Sequence, residues 1–516
     1  MSSKGKELKR RLKRTWATFF SRYGGLLPIQ VKAIPAVLEG KDVMIVAPTA
    51  GGKTEAVVAP LSERLLQEGW EGLSTLYLCP TRALVNDTLH RLKEQLEELE
   101  ISVAARTGDK PQFNEAKPPD FLITTPESFD SLLCRYTKAF ENVKAVVIDE
   151  IHLLDNTYRG DQLRILLKRL RQLADFNTYA LSATIANPEE VAKRYLRDFV
   201  IVTCEGVREI EYTLLKSMKE VYEVARRERL KKLLIFCNAR KNVELTAKEV
   251  EELWKGYVVT HHGSLSKSVR ESAEAFMRET NRGICVATMT LEVGIDIGDI
   301  DAVVLAEVPW SVSSLLQRIG RGNRRTQKCR VLAIWRTGGE REILKSMLEV
   351  AKKGVVEYEP YEPDLSVVVQ QVFSILYSLK TGLDFESFWK LFDDFCSKDE
   401  LRAILVNLEK LGWITKRVGK WYATEKLMNL AERGKIHSNI PDNVALKVVN
   451  TSTGEIIGEI TLPVDPVFAL GGKVWQVLKI SDKVYVKPAK SEAQAAKFKQ
   501  HRLRGAFYHL LPEELK

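Results

Sequence analysis

The segment APTAGGKTEA, residues 47–56, has the residue types of a loop that binds phosphate groups. Such a loop needs backbone N–H groups that converge on the phosphates, a lysine that reaches the β and γ oxygens, and a hydroxyl that holds Mg²⁺. Ala47 stands where the usual pattern has its first glycine, and we expect this small side chain to suffice. The two glycines, the lysine and the hydroxyl follow one another at Gly51, Gly52, Lys53 and Thr54.

A second segment, VVIDEIH at residues 146–152, supplies the acids that splitting a nucleoside triphosphate requires. Asp149 at a strand end can hold Mg²⁺, directly or through water, and Glu150 can orient and polarise the attacking water. His152 can sense the γ-phosphate and report to a neighbouring domain. An ordinary acidic strand end is the alternative, but the loop upstream favours ATP hydrolysis with Mg²⁺.

Short apolar runs that alternate with amphipathic helical stretches must position these residues. Over residues 30–205 the runs are DVMIVAP, STLYLCP, DFLITTP, AVVIDE and TYALSAT. Each ends in Pro, Thr, Asp or Ser, as buried parallel strands do when they deliver polar residues at their carboxyl ends. The pattern restarts after residue 206 with KLLIFCNA, GYVVTHH, RGICVAT, DAVVLAEVP and CRVLAIW. We therefore predict two doubly wound α/β domains, residues 1–205 and 206–355.

The chain beyond residue 355 changes character. EYEPYEPD, residues 357–364, contains two prolines and four acids and is typical of a linker. Two apolar helical stretches and the hairpin WITKRVGKWYAT follow, an order that suggests a winged helix over residues 356–435. Short strands with glycine turns then predict a small β-rich domain over residues 436–516.

Composition sets broad limits on the class of protein. Lysine and arginine outnumber the acids by 78 to 68, which is compatible with a polyanionic partner. The seven cysteines are scattered without a CxxC pair, which argues against a zinc site and against disulfides. The basic N-terminus lacks an apolar signal core, and no apolar run approaches the ~20 residues of a membrane span. We expect a soluble cytoplasmic protein without a membrane partner. Basic stretches near both ends are either solvated helix faces or phosphate contacts.

The acidic segment resembles motif II of the DExH-box helicases of superfamily two, and other motifs of that family follow in order. LLPIQ resembles the Q-motif, which implies that Gln30 reads the adenine; capping its own helix is the alternative. PTRAL and TTPES resemble the strand-tracking motifs. The resemblance implies that Thr81, Arg82 and Thr125 contact a sugar–phosphate backbone, although each segment alone is also compatible with a capped helix start.

A second domain could supply arginines to the transferring phosphoryl group. QRIGRGNRR, residues 317–325, places Arg321 and Arg324 near one helical turn apart, where both could enter the cleft between domains. The usual pattern is QxxGRxGR, and Asn323 replaces its second glycine. A basic helix that faces solvent or nucleic acid is the alternative.

Two further segments of the second domain resemble family motifs. VATMTLEVGIDIGDID resembles motif V, which implies that Gly294 and Asp296 approach the ribose and that Thr288 contacts a backbone phosphate. HHGSLSKSVR resembles the segment after motif IV, where His262 and Gly263 would touch the strand. A histidine pair can also bind a metal, but no cysteine or acidic cluster accompanies this one in the sequence.

These segments, together with PWSVSSLLQRIGRG, DLSVVVQQV and VFALGGKVWQVLKI, look like the Lhr (large helicase-related) family over nearly the whole chain. The resemblance implies two tandem RecA-like domains, a winged helix and a small β-rich C-terminal domain. Family cores are usually longer, so we expect a shortened C-terminal domain.

The same resemblance implies an ATP-driven motor that moves 3′ to 5′ along a single strand and parts a duplex. DNA is the favoured partner and RNA or a hybrid is the alternative; the backbone motifs do not decide between them, because they use phosphates that both share. A translocase that remodels complexes without separating strands, and a binding scaffold, are the alternatives. We expect a monomer, with a nuclease or repair protein as a possible partner.

Overall fold

The computed structural model places two parallel sheets in succession, followed by a mostly helical unit and a mixed sheet. The described residues are 3–21, 25–48, 51–108, 113–183, 185–204, 209–291, 297–322, 328–354, 356, 360–441, 446–460, 464, 466–481, 483–489, 494–495 and 504–516.

The first α/β domain, residues 3–204, is built on a parallel sheet ordered β3-β4-β2-β5-β6-β1-β7. Its strands are β1 Asp42–Val46, β2 Thr75–Leu78, β3 Val103–Arg106, β4 Phe121–Thr124, β5 Ala145–Ile148, β6 Asn177–Ser182 and β7 Phe199–Thr203. Its helices are α1 Ser3–Arg11, α2 Trp16–Phe20, α3 Pro28–Leu38, α4 Lys53–Glu68, α5 Arg82–Glu98, α6 Pro126–Arg135, α7 Tyr158–Arg171 and α8 Pro188–Tyr195. The central strands β2, β4 and β5 are buried along their whole length, as their apolar sequences predict.

The second α/β domain, residues 209–354, repeats this plan with a parallel sheet ordered β10-β11-β9-β12-β13-β8. Its strands are β8 Glu209–Leu215, β9 Lys232–Phe236, β10 Val258–His261, β11 Gly283–Ala287, β12 Ala302–Leu305 and β13 Lys328–Ile334. Its helices are α9 Met218–Arg227, α10 Arg240–Leu253, α11 Lys267–Glu279, α12 Val312–Ile319 and α13 Gly338–Lys352. The predicted tandem α/β architecture is confirmed.

A helical unit follows in the order helix, strand, two helices, two strands and a last helix, and its interpretation as a winged helix stays a prediction. Its elements are α14 Ser366–Ser378, β14 Leu383–Asp384, α15 Phe385–Phe392, α16 Lys398–Lys410, β15 Ile414–Arg417, β16 Lys420–Ala423 and α17 Glu425–Glu432. The strands form a small antiparallel sheet ordered β14-β16-β15, and the hairpin turns at Val418 and Gly419. Trp413 packs against Phe373 of α14, with ring centroids 5.3 Å apart.

A buried polar cluster around Asp130 joins this helical unit to the first α/β domain. Asp130 on α6 is fully buried, with three amides donating to Oδ2 and a hydroxyl donating to Oδ1. Arg169 Nη1 of α7 lies 3.4 Å from Oδ1, and His437 Nδ1 lies 3.6 Å from it. The neutral donors are Gln162, Gln370, Gln371 and Ser374. Because a buried carboxylate is costly to leave unpaired, this cluster holds the two units together.

Cys134 lies beside the same carboxylate, and Asp130, Cys134 and His437 are close enough together to share a metal ion. No metal-binding pattern is recognisable here in the sequence, since His437 lies far along the chain from Asp130 and Cys134. Arg169 already brings a cation to Asp130, so we assign an ion-pair cluster rather than a metal site.

The segment interpreted as a linker is fixed to the first α/β domain where it is described. Tyr361 Oη donates to Asp161 Oδ1 at 2.6 Å, and the Asp364 N–H donates to Asp161 Oδ2 at 2.9 Å. Asn156 Nδ2 also donates to the Pro360 carbonyl at 3.2 Å. Residues 360–364 of the predicted linker are therefore held against the first α/β domain, because α7 carries a buried acid that they satisfy.

The last sheet, the β unit, covers residues 446–495 in the order β18-β17-β21-β20-β19-β22. It mixes parallel and antiparallel pairs. Its strands are β17 Leu446–Asn450, β18 Ile456–Ile460, β19 Val467–Leu470, β20 Lys473–Ile480, β21 Lys483–Pro488 and β22 Gln494–Ala495.

Glu244 on α10 of the second α/β domain holds the β unit in place. Its carboxylate accepts from the N–H groups of Gly471 at 2.7 Å and Gly472 at 2.8 Å. A bridge between Leu265 and Gly458 adds backbone pairing beside it. The β unit is thus bonded to the second α/β domain.

The predicted boundary at residue 436 assigned residues 436–441 and 504–516 to the β-rich domain, but their described contacts are with the helical unit and, for His437, also with the first α/β domain. The Asn407 amide donates to the Leu510 carbonyl at 2.9 Å. Asn439 bonds both Ser366 and Phe507, and Phe507 packs on Phe373. The chain leaves the helical unit, builds the β unit and returns.

Among the described residues, no helix is both long and apolar enough to cross a membrane. The seven cysteines all lie in described ranges and all are thiols.

Candidate functional site

The glycines of the phosphate-binding segment sit where a side chain would not fit. Gly52 has a φ of 77° and caps α4, and a Cβ there would lie 2.6 Å from Gln30 Nε2. A Cβ on Gly51 would lie 2.8 Å from the Pro48 carbonyl oxygen. The backbone can therefore turn tightly into the helix, which leaves N–H groups at its N-terminus for an anion.

Lys53 is buried at the start of α4 and is held by the loop that precedes it. Its Nζ donates to the Ala47 carbonyl at 2.8 Å and to the Pro48 carbonyl at 3.4 Å. Ala47 itself is buried at the end of β1. The alanine in place of the first glycine is thus accommodated. The adjacent Thr54 is also buried, one residue into the helix.

Gln30 on α3 ties the predicted adenine-reading motif to this loop. Its Nε2 donates to the Gly52 carbonyl at 3.3 Å, while its Oε1 accepts from the Leu27 N–H at 2.9 Å. The second bond is the helix-capping contact that the sequence left open as an alternative. Adenine recognition by Gln30 stays a prediction.

The two acids lie at the carboxyl end of β5, and in the sheet only β6 lies between β5 and the loop-bearing strand β1. Burial and the neighbouring Glu150 raise the pKa of Asp149, against a hydrogen bond from Tyr77 that lowers it. Burial also opposes ionisation of Glu150, but Lys53 and Arg321 outweigh it and hold the pKa of Glu150 below its usual value. A buried pair of acids with one raised pKa favours a bound cation.

Glu150 has a left-handed backbone with a φ of 44°, which is unusual for a side chain of this size. Such conformations cost free energy and are found where the surrounding structure imposes them, often at functional sites.

His152 connects the acids to the end of β6. Its Nδ1 accepts from the Ala183 N–H at 3.4 Å and lies 3.2 Å from Ser182 Oγ. Burial lowers the pKa of His152, and Lys53 and Arg321 lower it further, so the ring is neutral near pH 7. The backbone donor fixes Nδ1 as the acceptor, which leaves the proton on Nε2.

Arg321, just beyond α12, brings positive charge from the second α/β domain to the acids. It is buried, and it lies close enough to lower the pKa values of both Glu150 and His152. The first and second domains therefore meet at this cluster. Arg324, Gly294 and Asp296, the other predicted nucleotide contacts of this domain, lie outside the described residues.

The residues predicted to track a strand lie at helix starts and strand ends. The Thr81 hydroxyl accepts from the Leu84 N–H at 3.2 Å, and that of Thr125 accepts from the Ser128 N–H at 3.4 Å. Both threonines are thus N-caps, which the sequence had allowed. Arg82 is exposed, whereas Thr288 is buried at the end of β11.

The His262 imidazole lies inside the protein, where the structure gives it a different partner from the one predicted. It is fully buried, and its Nε2 lies 2.8 Å from Glu244 Oε1. Its Nδ1 accepts from the Ser264 N–H at 3.3 Å, so Nε2 carries the proton toward Glu244. This side chain therefore supports the attachment of the β unit, and the neighbouring Gly263 is the exposed member of the pair.

Sequence reasoning missed Tyr77 and Glu244. Tyr77 stands in the apolar run of β2, where a buried phenol that needs a partner was the available signal. Glu244 lies mid-helix and has no local signal, because its partners are far away in the chain.

Two family models match most of the α/β region. The DEAD/DEAH box helicase model matches residues 27–191, and the helicase conserved C-terminal domain model matches residues 200–326.

Curated and solved relatives extend the match beyond these domains. An ATP-dependent helicase Lhr-Core of Methanocaldococcus jannaschii is 32% identical, over 89% of this chain and 61% of the relative. The structure of Mycobacterium smegmatis helicase Lhr bound to ssDNA and AMP-PNP is 26% identical with a TM-score of 0.74, covering 83% of this chain and 62% of that one. The DUF1998 helicase MrfA bound to DNA shares the fold, with a TM-score of 0.77 at 24% identity over 95% of this chain and 70% of that one. The chain spans about three fifths of the length of the curated relatives it matches.

Proposed function

The chain belongs to the Lhr-like DExH-box helicases of superfamily two, and from this premise we propose that it is a nucleic-acid-dependent ATPase that moves 3′ to 5′ along a single strand and parts a duplex. One observation carries the proposal. Lys53 of the same domain acts on both buried acids, Asp149 and Glu150, and Arg321 of the next domain acts on Glu150. A site assembled from two domains can couple hydrolysis to their relative movement.

The donor set fits ATP with Mg²⁺. Thr54 and Asp149 offer a hydroxyl and a carboxylate oxygen, which are the ligands that Mg²⁺ prefers. When bound, the ion neutralises charge on the phosphate oxygens. The glycine turn at Gly51 and Gly52 has no room for a Cβ, as a backbone that wraps phosphates requires.

Each residue of the proposed ATP site has a part in the reaction. Lys53 exchanges its bonds to the loop carbonyls for bonds to phosphate oxygens. Glu150 is ionised, so it can orient the attacking water and accept its proton. Arg321 stabilises the charge that develops on the transferred phosphoryl group, and Arg324 is proposed as its companion. His152 senses the γ-phosphate and transmits its presence through the contact with Ser182.

The strand is proposed to bind across both α/β domains. Thr81, Arg82 and Thr125 would hold it from the first domain, and Gly263 and Thr288 from the second. Such backbone contacts carry no sequence information. The ssDNA in the similar Lhr structure supports DNA as the partner. Closing and opening the cleft would then move the strand contacts of one domain relative to those of the other.

We further propose a cytoplasmic monomer divided into the four predicted domains, with the corrected C-terminal boundary.

Strand separation with ATP and Mg²⁺ tests the proposal. The substrates are 3′-tailed, 5′-tailed and blunt duplexes of DNA, RNA and hybrid, with ATPase followed in the same samples. Separation of 3′-tailed substrates alone is the expected result. Lys53→Ala is the matched control and should lose both activities. Separation from 5′ tails would contradict the polarity, and undiminished ATPase in Lys53→Ala would contradict the assigned site.

A translocase that remodels protein–nucleic-acid complexes is the second candidate. The described β unit is fixed to the second domain and the helical unit to the first, which suits a motor that moves one unit past the other. Strand-stimulated ATPase without separation of any duplex would favour it. A scaffold would show no ATPase on any strand.

A further inference from the structure

Asp149 receives two hydrogen bonds that together fix the orientation of its carboxylate. Its own neighbour, the Glu150 N–H, donates to Oδ1 at 2.9 Å. The hydroxyl of Tyr77 donates to Oδ2 at 2.8 Å. Tyr77 lies on β2, adjacent to β5 in the sheet, and is fully buried.

The two donors leave each carboxylate oxygen with a lone pair for a further partner. The Glu150 N–H bond follows from the local backbone, so any aspartate at this turn would receive it. The Tyr77 bond is different, because it crosses from one strand to the next and meets a residue 72 positions away in the chain. It fixes the rotation of the carboxylate plane, which the backbone alone does not.

We propose that Tyr77 is a positioning residue that holds the Asp149 carboxylate in the orientation that binds Mg²⁺ with ATP. The inference rests on the proposed ATPase function. Partners that orient a metal ligand from behind commonly change metal affinity by about 10- to 100-fold when they are removed. Tyr77 acts only through Asp149 and is not itself a catalytic residue.

A purely structural role is the competing explanation, and the same core contains a control for it. Tyr179 on β6 is also fully buried in that hydrophobic cluster. Its hydroxyl accepts from Arg64 Nη1 at 3.2 Å, and Arg64 lies on the same helix as Lys53 but nearer the C-terminal end of that helix. Tyr77→Phe and Tyr179→Phe each remove one buried hydroxyl and keep the ring.

The test is a Mg²⁺ titration of the binding of a fluorescent, non-hydrolysable ATP analogue to the full chain. Binding in EDTA gives the metal-free affinity, and thermal unfolding in EDTA gives the stability. Tyr77→Phe is expected to need about ten-fold more Mg²⁺ for half-maximal binding, with the metal-free affinity unchanged. Tyr179→Phe is expected to follow the wild type in its Mg²⁺ requirement, whatever its melting temperature.

The outcomes separate the inference from the function on which it rests. An unchanged Mg²⁺ requirement in Tyr77→Phe, or an equal shift in Tyr179→Phe, overturns the positioning role while the ATPase stands. Absence of Mg²⁺-dependent nucleotide binding in the wild type overturns both. If Tyr77→Phe does not fold, fluorotyrosine at position 77 alters the phenol as a donor at nearly constant size. It should shift the Mg²⁺ requirement, and fluorotyrosine at position 179 should not.

Discussion

Glu150 has both the electrostatic state and the backbone geometry of a general base. Lys53 and Arg321 keep its pKa low despite burial, and its φ of 44° turns it out of the strand. An ionised acid that the fold holds in a strained conformation is more easily explained by function than by stability.

Replacing Glu150 with glutamine should therefore stop turnover and leave nucleotide binding intact. The amide keeps the shape but cannot accept the proton of the attacking water, so we expect kcat to fall by about 10²- to 10⁴-fold. ATPase rates and analogue binding measure the two effects. Glu189→Gln, on the exposed start of α8, is the control and should retain activity. Persistent turnover in Glu150→Gln would remove it from the role of base.

At the scale of residues, the local sequence pattern was enough to pick out the residues of the phosphate-binding loop. It did not identify the side chains that meet only through long-range contacts in the folded chain. Gly51, Gly52 and Lys53 were recognisable because the chemistry of the loop is local. The partners of His262 were not, because Glu244 and the β unit approach it only in the folded chain.

At the scale of elements, the predicted strands of the two α/β domains are present, and the strands of these domains that prediction missed are β3, β7 and β8. All three lie at sheet edges. Among them β8 is partly exposed and alternates in burial, so its sequence lacks the continuous apolar run of a central strand. The sequence of β7, FVIVT, does contain such a run, and the prediction overlooked it. A continuous apolar run in the sequence indicates a strand that is buried on both faces. This signal is weaker for a strand at the edge of a sheet, which has a neighbouring strand on one side only.

The junction of α6 with the helical unit should give the protein a pH-dependent stability. Burial would lower the pKa of His437, but Asp130 raises it to about 9. Cys134, Arg169 and the Tyr377 ring are the other groups beside it. Because the folded pKa lies above the unfolded value of about 6.5, the stabilisation is complete below pH 6.5 and is lost as pH rises through 9.

We expect the free energy of unfolding to fall by up to roughly 3 kcal/mol between pH 6.5 and 9.5 from this group, at about 1.4 kcal/mol per pKa unit. Denaturant unfolding at several pH values measures it. His437→Gln should flatten this dependence, whereas His90→Gln, exposed on α5, should retain it. An identical pH profile in His437→Gln and wild type would contradict the assignment.

The contact between β18 and the second α/β domain should be sensitive to one methyl group. A Cβ on Gly458 would lie 2.3 Å from the Ser264 carbonyl oxygen. Gly458→Ala should break the flanking bonds, in which Glu459 N–H donates to Ser264 and Ser266 N–H to Ile457. We expect a local cost of about 1–3 kcal/mol. Faster hydrogen exchange at these amides measures it. Gly338→Ala, with open space around it, is the control, and unchanged exchange in Gly458→Ala would contradict the contact.

At the scale of the whole molecule, each accessory unit is bonded to a different α/β domain. Asp130 fixes the helical unit to the first, and Glu244 fixes the β unit to the second. If nucleotide closes the cleft at Arg321, the distance between the two accessory units must change with it.

Distance measurements between labels at Val418 and Leu478 should detect this change. Both side chains are exposed, one on the hairpin of the helical unit and the other on β20. The distance should shift on addition of ATP analogue and single strand together. Labels at Val418 and Val406, both in the helical unit, are the control pair and should stay constant. A constant distance in the first pair with intact ATPase would rule out this coupling.

The return of residues 504–516 to the helical unit also determines when this unit can finish folding during synthesis. Phe507, Leu510 and Leu511 belong to the hydrophobic core that α14 and α16 begin. These residues follow the β unit in the chain, so the ribosome makes them after it. Domains generally fold as units as they emerge. Here the helical unit cannot complete its core until the β unit has emerged, and the two must mature together rather than in the order in which they are encoded.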